Sequence, residues 1–147
     1  MEVSWEFTII DGTIIVAVVA FLILVTVVHV YWKKYKTPDF LDQKYIKQQW
    51  KKIEDLFSFG KEMNYKLVVI EADKLLDYVL KELHFPGETM ADRLKIASYQ
   101  HRKLNNVWWA HKVRNQVVHD IKYSLNYGET KKVLFLFKTA LKELRAL

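Results

Sequence analysis

The stretch KLVVIEADKLLDYVLKEL, residues 66–83, indicates the fold class of this chain. Its apolar residues recur at three- and four-residue intervals, so they form two adjacent stripes on a helix: Val68, Ala72, Leu75 and Val79, and beside them Val69, Leu76, Leu80 and Leu83. A helix with so wide an apolar face needs covering elements. The run VVI resembles a strand if taken alone, as does VLFLF near the end of the chain. Their helical flanks instead predict an all-α fold, with a first bundle helix over residues 61–84.

The rest of the chain predicts three more helices, which complete a four-helix bundle over residues 61–147. FPGET at 85–89 breaks the first helix, and the T-x-x-D spacing of Thr89 and Asp92 predicts a capping box for the second, which ends near residue 100. Such a small core favours oligomerisation.

The last two bundle helices are separated by a turn. Asn105 or Asn106 is the expected N-cap of the third helix, which continues to about Leu125. The following NYG signals a turn in which Gly128 suits a left-handed conformation. The fourth helix is predicted from about residue 129 to the last residue.

Residues 14–32, IIVAVVAFLILVTVVHVYW, form an uninterrupted run without a formal charge. At about 1.5 Å per residue, a helix of this length spans roughly 28 Å, close to the thickness of a bilayer's hydrocarbon core. The alternative, a helix buried in a soluble core, requires a domain much larger than the rest of this chain. We therefore predict a single transmembrane helix over about residues 13–32, within an N-terminal segment 1–36.

The flanks of this run predict its orientation. Lys33, Lys34 and Lys36 follow it, whereas no Lys or Arg precedes it. Because positive flanks stay in the cytoplasm, we expect the short N-terminus outside the plasma (inner) membrane and the soluble part inside. The acidic N-terminal flank and the lack of a cleavage pattern indicate a retained signal anchor. Aromatic residues at both ends fit interfacial belts: Trp5, Phe7, Tyr31, Trp32 and Tyr35.

Residues 37–60 predict a juxtamembrane amphipathic helix. Thr37 suits the N-cap, Pro38 the first helical position and Gly60 the C-terminal end. Apolar residues recur at helical spacing opposite a lysine-rich side: Ile46, Trp50, Ile53 and Phe57. Such a helix either lies in the interface of an anionic membrane or packs on the following domain. The interrupted stripe favours partial packing on the domain.

Composition restricts the partners of the soluble part. All 23 Lys and Arg residues lie after residue 32, together with 14 of the 17 Asp and Glu residues, which leaves a net charge of +9. This excess favours an anionic partner, either the lipid of the inner leaflet or a nucleic acid. The chain contains no cysteine, which excludes zinc fingers and disulfide frameworks and is compatible with a reducing cytoplasm.

The stretch HKVRNQVVHD, residues 111–120, carries an unusual set of polar side chains on the third bundle helix. On a helical wheel of about 100° per residue, one narrow arc is predicted to face the core: Ala110, Val113, Val117 and Ile121. The opposite arc collects His111, Arg114, Asn115, His119 and Lys122, with Trp108 at its edge and Val118 within it. Polar residues on an outer helix face are most simply a solvated surface.

These residue types nevertheless suit phosphate chemistry. An arginine such as Arg114 offers a planar, permanent charge to a phosphodiester. A histidine such as His119 can take and return a proton within one reaction cycle, and Asn115 can orient the imidazole or donate to an oxyanion. His111 and His119 are two turns apart and no carboxylate pair lies nearby, so we expect no metal and no other cofactor.

Arg114–His119, RNQVVH, resembles the R-x4-6-H motif of the HEPN superfamily, helical domains of many prokaryotic ribonucleases, toxins and nucleotide-binding modules. The Asn directly after the Arg and the position in a penultimate long helix also fit. The upstream EADKLLDYVLKELHFPGETMADRLK, residues 71–95, is similar to the family's first helix, turn and second helix. The resemblance covers roughly residues 61–147 and leaves the anchor and the juxtamembrane helix outside it.

The resemblance implies a homodimeric RNA endonuclease. In active family members two motif helices line one composite cleft, where RNA is cleaved without metal as the ribose 2′-OH attacks the adjacent phosphate. It assigns His119 as the general acid/base, Arg114 as the phosphate clamp and Asn115 as the orienting group. From the wheel we add three expected RNA contacts, which line the cleft, stack on a base or reach the backbone: His111, Trp108 and Lys122.

The resemblance leaves a second function open. A toxin branch of the family carries a Tyr two residues after the motif His, where a partner enzyme modifies it, but this chain has Ile121 there and its nearest Tyr is Tyr123. Some members have lost catalysis and act as binding modules. The alternative is therefore a non-catalytic adaptor that dimerises or docks a protein partner or nucleotide at the cytoplasmic face. No glycine-rich loop supports nucleotide binding.

Overall fold

The computed structural model of the chain describes the backbone of residues 4–35 and 41–147 and the side chains of residues 12–30 and 41–147. All regular structure in these ranges is helical, which confirms the all-α prediction, and VVI and VLFLF lie within helices. The α-helices are α1 Ser4–Tyr35, α2 Gln43–Ser58, α3 Glu62–Glu82, α4 Met90–Gln100, α5 Val107–His119 and α6 Tyr127–Glu143, with a 3₁₀ helix at Arg102–Asn106. The chain forms two compact units, residues 1–36 and 37–147.

The first unit consists of α1, which is long and apolar enough to cross a membrane. Its apolar part, Gly12–Val30, has 19 residues, and all of their side chains are exposed. Thr26 satisfies its hydroxyl within the helix by donating to the carbonyl oxygen of Ile23 at 2.8 Å, as an apolar solvent requires. The predicted aromatic belts lie outside the described side chains.

In the second unit, α2 begins later than the sequence suggests. Asp42 is its N-cap, and the Asp42 Oδ1 accepts a hydrogen bond from the backbone N–H of Tyr45 at 2.9 Å. The predicted cap at Thr37 and Pro38 lies outside the described residues. Gly60 follows the C-terminal end of the helix, as predicted, and has a φ of +69°. Glycine suits this position because it adopts the left-handed backbone conformation with little strain.

The apolar side of α2 packs on the bundle. Ile46, Trp50 and Ile53 are at most 4% exposed, and the helix lies against α3. Burial of side chains of this size stabilises by about 1.5–3 kcal/mol each, so this side belongs to the protein core and not to a membrane interface. The expected packing of α2 on the domain is therefore confirmed, and α2 shares one compact unit with the bundle.

Helix α3 lies at the centre of the second unit and contacts α2, α4, α5 and α6. Both predicted stripes are buried, from Val68 and Val69 at one end to Val79 and Leu80 at the other. Leu83 is half-buried just beyond the end of the helix. Because α3 is covered from several sides, any polar residue within its stripes is enclosed by its neighbours.

The capping box predicted for α4 is confirmed. The Thr89 hydroxyl accepts from the backbone N–H of Asp92 at 3.2 Å, and the Asp92 Oδ2 accepts from the backbone N–H of Thr89 at 3.0 Å. The Thr89 hydroxyl also donates to Asp92 Oδ2 at 2.6 Å, and this bond, together with the one from the Thr89 backbone N–H, lowers the pKa of Asp92. Arg93, which is 5% exposed, donates through Nε to Asp77 Oδ1 at 2.8 Å and through Nη1 to the carbonyl of Gly87 at 2.6 Å, so it joins α4 to α3.

Helix α6 begins two residues before its predicted start. Asn126 is its N-cap, with the Asn126 Oδ1 accepting from the backbone N–H of Glu129 at 2.9 Å. Gly128 therefore lies in the first turn of α6, and its predicted left-handed conformation is wrong. The turn residue that mattered was the Asn of NYG, because its side chain satisfies a free N–H at the helix start.

Candidate functional site

Helix α5, which carries the motif, is shorter than predicted. It ends at His119, because Asp120 adopts an extended conformation with φ of −114° and ψ of 105°. The chain between Asp120 and Asn126 is irregular, although the wheel treated it as helix to Leu125. Lys122 therefore does not belong to the α5 surface. Its backbone N–H donates to Asp120 Oδ1 at 2.9 Å, and its side chain is exposed.

The early end of α5 changes the predicted core arc. Ala110 and Val113 are buried and Val117 is half-buried, as an inward face requires. Ile121, in contrast, is 97% exposed, so its predicted place in the core is wrong. Val118, one residue before His119, is 46% exposed. Two aliphatic side chains therefore face solvent directly beside the motif histidine.

His111 is the clearest correction to the predicted outer face. It is 8% exposed, and its Nδ1 lies 2.7 Å from Oδ1 of Asp73 on α3, a residue that is 2% exposed. An ionised carboxylate only accepts, so Nδ1 carries the shared hydrogen. His111 is thus enclosed between two helices and does not line an open cleft. Buried polar groups need such partners, and this pair fastens α5 to α3.

Arg114 is held from two sides. Its buried Nε lies 3.2 Å from Asp73 Oδ2, close enough for an ion pair but without hydrogen-bond geometry. Its Nη1 donates to Oδ1 of the neighbouring Asn115 at 3.0 Å. The Arg114 side chain is 27% exposed, so part of the guanidinium reaches solvent. Asn115 consequently orients the arginine, whereas the sequence suggested that it orients the imidazole.

His119 lies in different surroundings from Arg114. It is exposed and is the last residue of α5, where the carbonyl end of the helix favours a positive charge. Among the described residues, no hydrogen bond or ion pair connects it to Arg114 or to any other side chain. Within one chain, therefore, no direct contact joins the guanidinium and the imidazole of the motif.

The two tryptophans of α5 divide their roles. Trp108 is half-buried, and its ring lies nearly perpendicular to that of His111, with ring centroids 6.2 Å apart. Trp109 is 37% exposed, and the Nζ of Lys132 lies 4.4 Å from the centroid of its ring. Trp109 is therefore the more exposed of the two rings, and base stacking by Trp108 stays a prediction.

Asp73 is the residue of the α3–α5 contact that the helical patterns do not predict. It falls on the α3 stripe formed by Val69, Leu76 and Leu80, where a charged residue is unusual. A carboxylate on a buried stripe requires a cationic or hydrogen-bonding partner from another helix. That requirement was the available signal, and His111 and Arg114 meet it.

The described residues contain no group of three or more His, Asp or Glu side chains placed to bind a metal ion. What α5 and the chain directly after it offer is an arginine held by Asp73 and Asn115 with Nη2 least engaged, an exposed histidine, and two exposed aliphatic side chains, Val118 and Ile121. No protein-family model, curated protein or solved structure matches this chain.

Proposed function

We propose that this chain is a membrane-anchored HEPN-type RNA endonuclease whose site is completed by a second copy. The observation that carries the proposal is the state of Arg114, which Asp73 and Asn115 hold in place while part of its guanidinium stays open to solvent. An arginine immobilised in this way is suited to clamp a phosphate, because little side-chain entropy remains to be lost. The RNQVVH motif on an all-helical bundle supports the same assignment.

The anchoring part of the proposal rests on α1. Its apolar part has the length and composition of a membrane-spanning helix. The lysines that follow it favour an outside N-terminus, a single pass through the plasma (inner) membrane and a cytoplasmic bundle. Carbonate extraction of membranes from expressing cells, with protease protection of tags at either end, tests both points. Release by carbonate, or protection of the C-terminal tag in inside-out vesicles, contradicts them.

The proposed reaction needs a base, an acid and a clamp. His119 of one copy removes the proton of a ribose 2′-OH, and the oxygen attacks the adjacent phosphorus. The bond from phosphorus to the 5′-oxygen breaks, and His119 of the second copy protonates that leaving oxygen. Arg114 stabilises the charge on the non-bridging oxygens. The products are then a 2′,3′-cyclic phosphate and a free 5′-OH, and DNA is not a substrate because it lacks the attacking hydroxyl.

A second copy is proposed because Arg114 and His119 of one chain share no hydrogen bond or ion pair and would need partner groups around the phosphate. Val118 and Ile121 provide aliphatic surface beside His119 that a partner helix would cover. Two copies related by a two-fold axis would place two Arg114 and two His119 side chains around one phosphodiester. We therefore propose a homodimer as the active form.

The test is cleavage of a defined RNA by the purified full chain in detergent with excess chelator. Wild type is expected to give 2′,3′-cyclic phosphate ends, and an RNA with one 2′-deoxy position is expected to resist cleavage there. His119→Ala and Arg114→Lys should each lower the rate at least 100-fold, as loss of a general acid/base or of a planar clamp does. His101→Ala, a change to a histidine outside α5, serves as the matched control. Equal cleavage by all four proteins removes the assignment.

A non-catalytic adaptor remains the second candidate, and a specific observation favours it. Asp73 already neutralises Arg114, while Val118 and Ile121 expose aliphatic surface beside a histidine that has no described partner. Such a surface suits self-association or a protein partner at the cytoplasmic face. Sedimentation in detergent distinguishes the candidates: a monomer after Ile121→Ser, together with no cyclic-phosphate product from wild type, supports the adaptor.

A further inference from the structure

We infer that the lysine side of α2 binds the anionic headgroups of the membrane in which α1 is anchored. The lysine face consists of Lys44, Lys47, Lys51 and Lys52. This inference rests on the anchoring part of the proposed function and is independent of RNA cleavage. It concerns how the bundle is held, a question that neither the motif nor the resemblance addresses.

The two sides of α2 are sharply different. Ile46, Trp50 and Ile53 are buried against the bundle, so the apolar side cannot enter a membrane. Lys44, Lys47 and Lys51 follow each other at helical spacing, and all four lysines of the face are exposed. Any contact of α2 with a bilayer is therefore electrostatic, at the level of the headgroups.

The lysines of this face also differ from those of α3, because they form no ion pairs with carboxylates in the part of the chain that the structure describes. Three α3 lysines pair with carboxylates on their own helix: Lys66 with Glu62, Lys74 with Glu71, and Lys81 with Asp77. None of the four α2 lysines forms an ion pair with a carboxylate among the described residues, and Asp55, at the C-terminal end of the lysine face, is the one exposed carboxylate on that side of the helix. A surface of unpaired, like charges is repulsive in isolation and favours an anionic partner.

The position of α2 in the chain selects the membrane as that partner. Only five residues, 36–40, separate α1 from the described part of the second unit, so a membrane-anchored chain keeps α2 at a high effective concentration near the headgroups. Residues 33–52 contain seven lysines against two aspartates. A basic cluster of this size directly after a membrane span is the pattern that anionic lipids attract.

The absence of cysteine allows one reporter per chain. The full chain is reconstituted in nanodiscs of zwitterionic lipid, or of zwitterionic lipid with 30% anionic lipid, with a fluorophore on Gln48→Cys in the lysine face. Gln116→Cys, an exposed glutamine on α5, is the matched control site. A nitroxide-labelled headgroup lipid quenches whichever fluorophore lies at the membrane surface. We expect strong quenching at position 48 in anionic discs only, lost at high salt, and weak quenching at position 116 in both.

Charge variants test the residues themselves. Replacement of Lys44, Lys47 and Lys51 by Gln should weaken the docking of α2 on the headgroups. The ratio of chains with α2 docked to chains with α2 undocked should fall roughly 100-fold, about fivefold for each lysine. Replacement by Arg should preserve quenching. A control of equal charge change at exposed lysines on other helices, Lys95→Gln with Lys112→Gln and Lys131→Gln, should leave quenching at position 48 in place.

Each outcome decides the inference. Equal quenching at position 48 in both lipids, an unaltered signal in the Gln variant, or equal effects of the two triple variants overturns it. Failure of the chain to enter nanodiscs overturns the anchor and the inference together. Entry into nanodiscs without lipid-dependent quenching overturns the inference alone, and RNA cleavage by either preparation is a separate result.

Discussion

Replacement of Asp73 by Asn tests the polar contact that joins α3 to α5. The Asp73 carboxylate is 2% exposed and lies 2.7 Å from Nδ1 of His111 and 3.2 Å from Nε of Arg114. Asparagine has nearly the same shape, so no cavity forms. The change removes the charge, and the new NH₂ group must face at least one of the two donors. It therefore isolates the electrostatic part of the contact.

His111 and Arg114 contribute unequally to the stability that the Asp73→Asn substitution is expected to remove. A buried hydrogen bond to a charged acceptor is worth about 1.5–3 kcal/mol, and the bond to His111 is of this kind. Arg114 keeps 27% of its side-chain exposure and its Nε lacks hydrogen-bond geometry, so its share falls in the range of about 0–1 kcal/mol. Asn retains one acceptor oxygen that can still serve His111. We expect the free energy of unfolding to fall by about 2 kcal/mol, a large part of the roughly 5–15 kcal/mol typical of a domain.

Urea unfolding of the full chain in detergent micelles, followed by near-UV circular dichroism, measures this change. The matched control is Asp55→Asn, the same substitution at an exposed position of α2, which should shift the free energy of unfolding by less than about 0.5 kcal/mol. A double-mutant cycle with Arg114→Gln should give a small coupling energy. If Asp73→Asn behaves like Asp55→Asn, the contact does not stabilise the bundle and the reasoning fails.

Four further substitutions probe local features. Gly87→Ala places a new Cβ 2.6 Å from the Cβ of Asp92, at a residue whose φ is +147°. It should lower the free energy of unfolding by more than about 2 kcal/mol, as measured by thermal unfolding. Gly128→Ala, inside α6, should leave this free energy unchanged or raise it by up to about 1 kcal/mol. Burial and the hydrogen bond that the Tyr123 hydroxyl donates to Glu129 at 2.5 Å raise the pKa of Tyr123 to about 12. Because this folded-state pKa exceeds the unfolded value of about 10, the stabilisation is complete below pH 10 and is lost as pH rises toward 12. Tyr123→Phe should remove that part of the alkaline decline in the urea midpoint, and an unchanged pH profile contradicts it. Thr89→Ala should lower the free energy of unfolding by about 1 kcal/mol through loss of the cap, and a melting temperature equal to that of wild type argues against that role.

Local patterns predicted the helices well because they depend on neighbours in sequence. The spacing of Val68 and Ala72 identified the buried side of α3, and Thr89 with Asp92 identified the start of α4. The stripe through Ile46 and Trp50 identified the packed side of α2. In each case the determining residues lie within one or two helical turns, so the sequence contains the whole interaction.

The candidate site was less predictable because it depends on another helix. A wheel drawn for α5 places His111 opposite the core, but it contains no information about Asp73, 38 residues earlier, which gives that side a buried partner. The wheel also assumed that helix continues beyond His119. The break at Asp120 moves Ile121 from the predicted core into solvent. Long-range pairing is set by tertiary packing, and the end of α5 coincides with a local turn in which Asp120 Oδ1 accepts from the Lys122 N–H; hydrophobic periodicity encodes neither.

The fixed state of Arg114 limits how a phosphate could bind it. A free guanidinium offers five N–H groups in two bidentate edges. Here Nε faces Asp73 and one N–H of Nη1 is donated to Asn115, so both bidentate edges are partly occupied and Nη2 is the least engaged nitrogen. A phosphodiester would also lie near the negative charge of Asp73. One Arg114 is therefore a weak clamp by itself, and a second Arg114 from a two-fold-related copy would offset the carboxylate. The same contact that stabilises the α3–α5 junction thus makes dimerisation a physical requirement of the proposed nuclease, so a variant that stays monomeric should lose cleavage even with Arg114 and His119 intact.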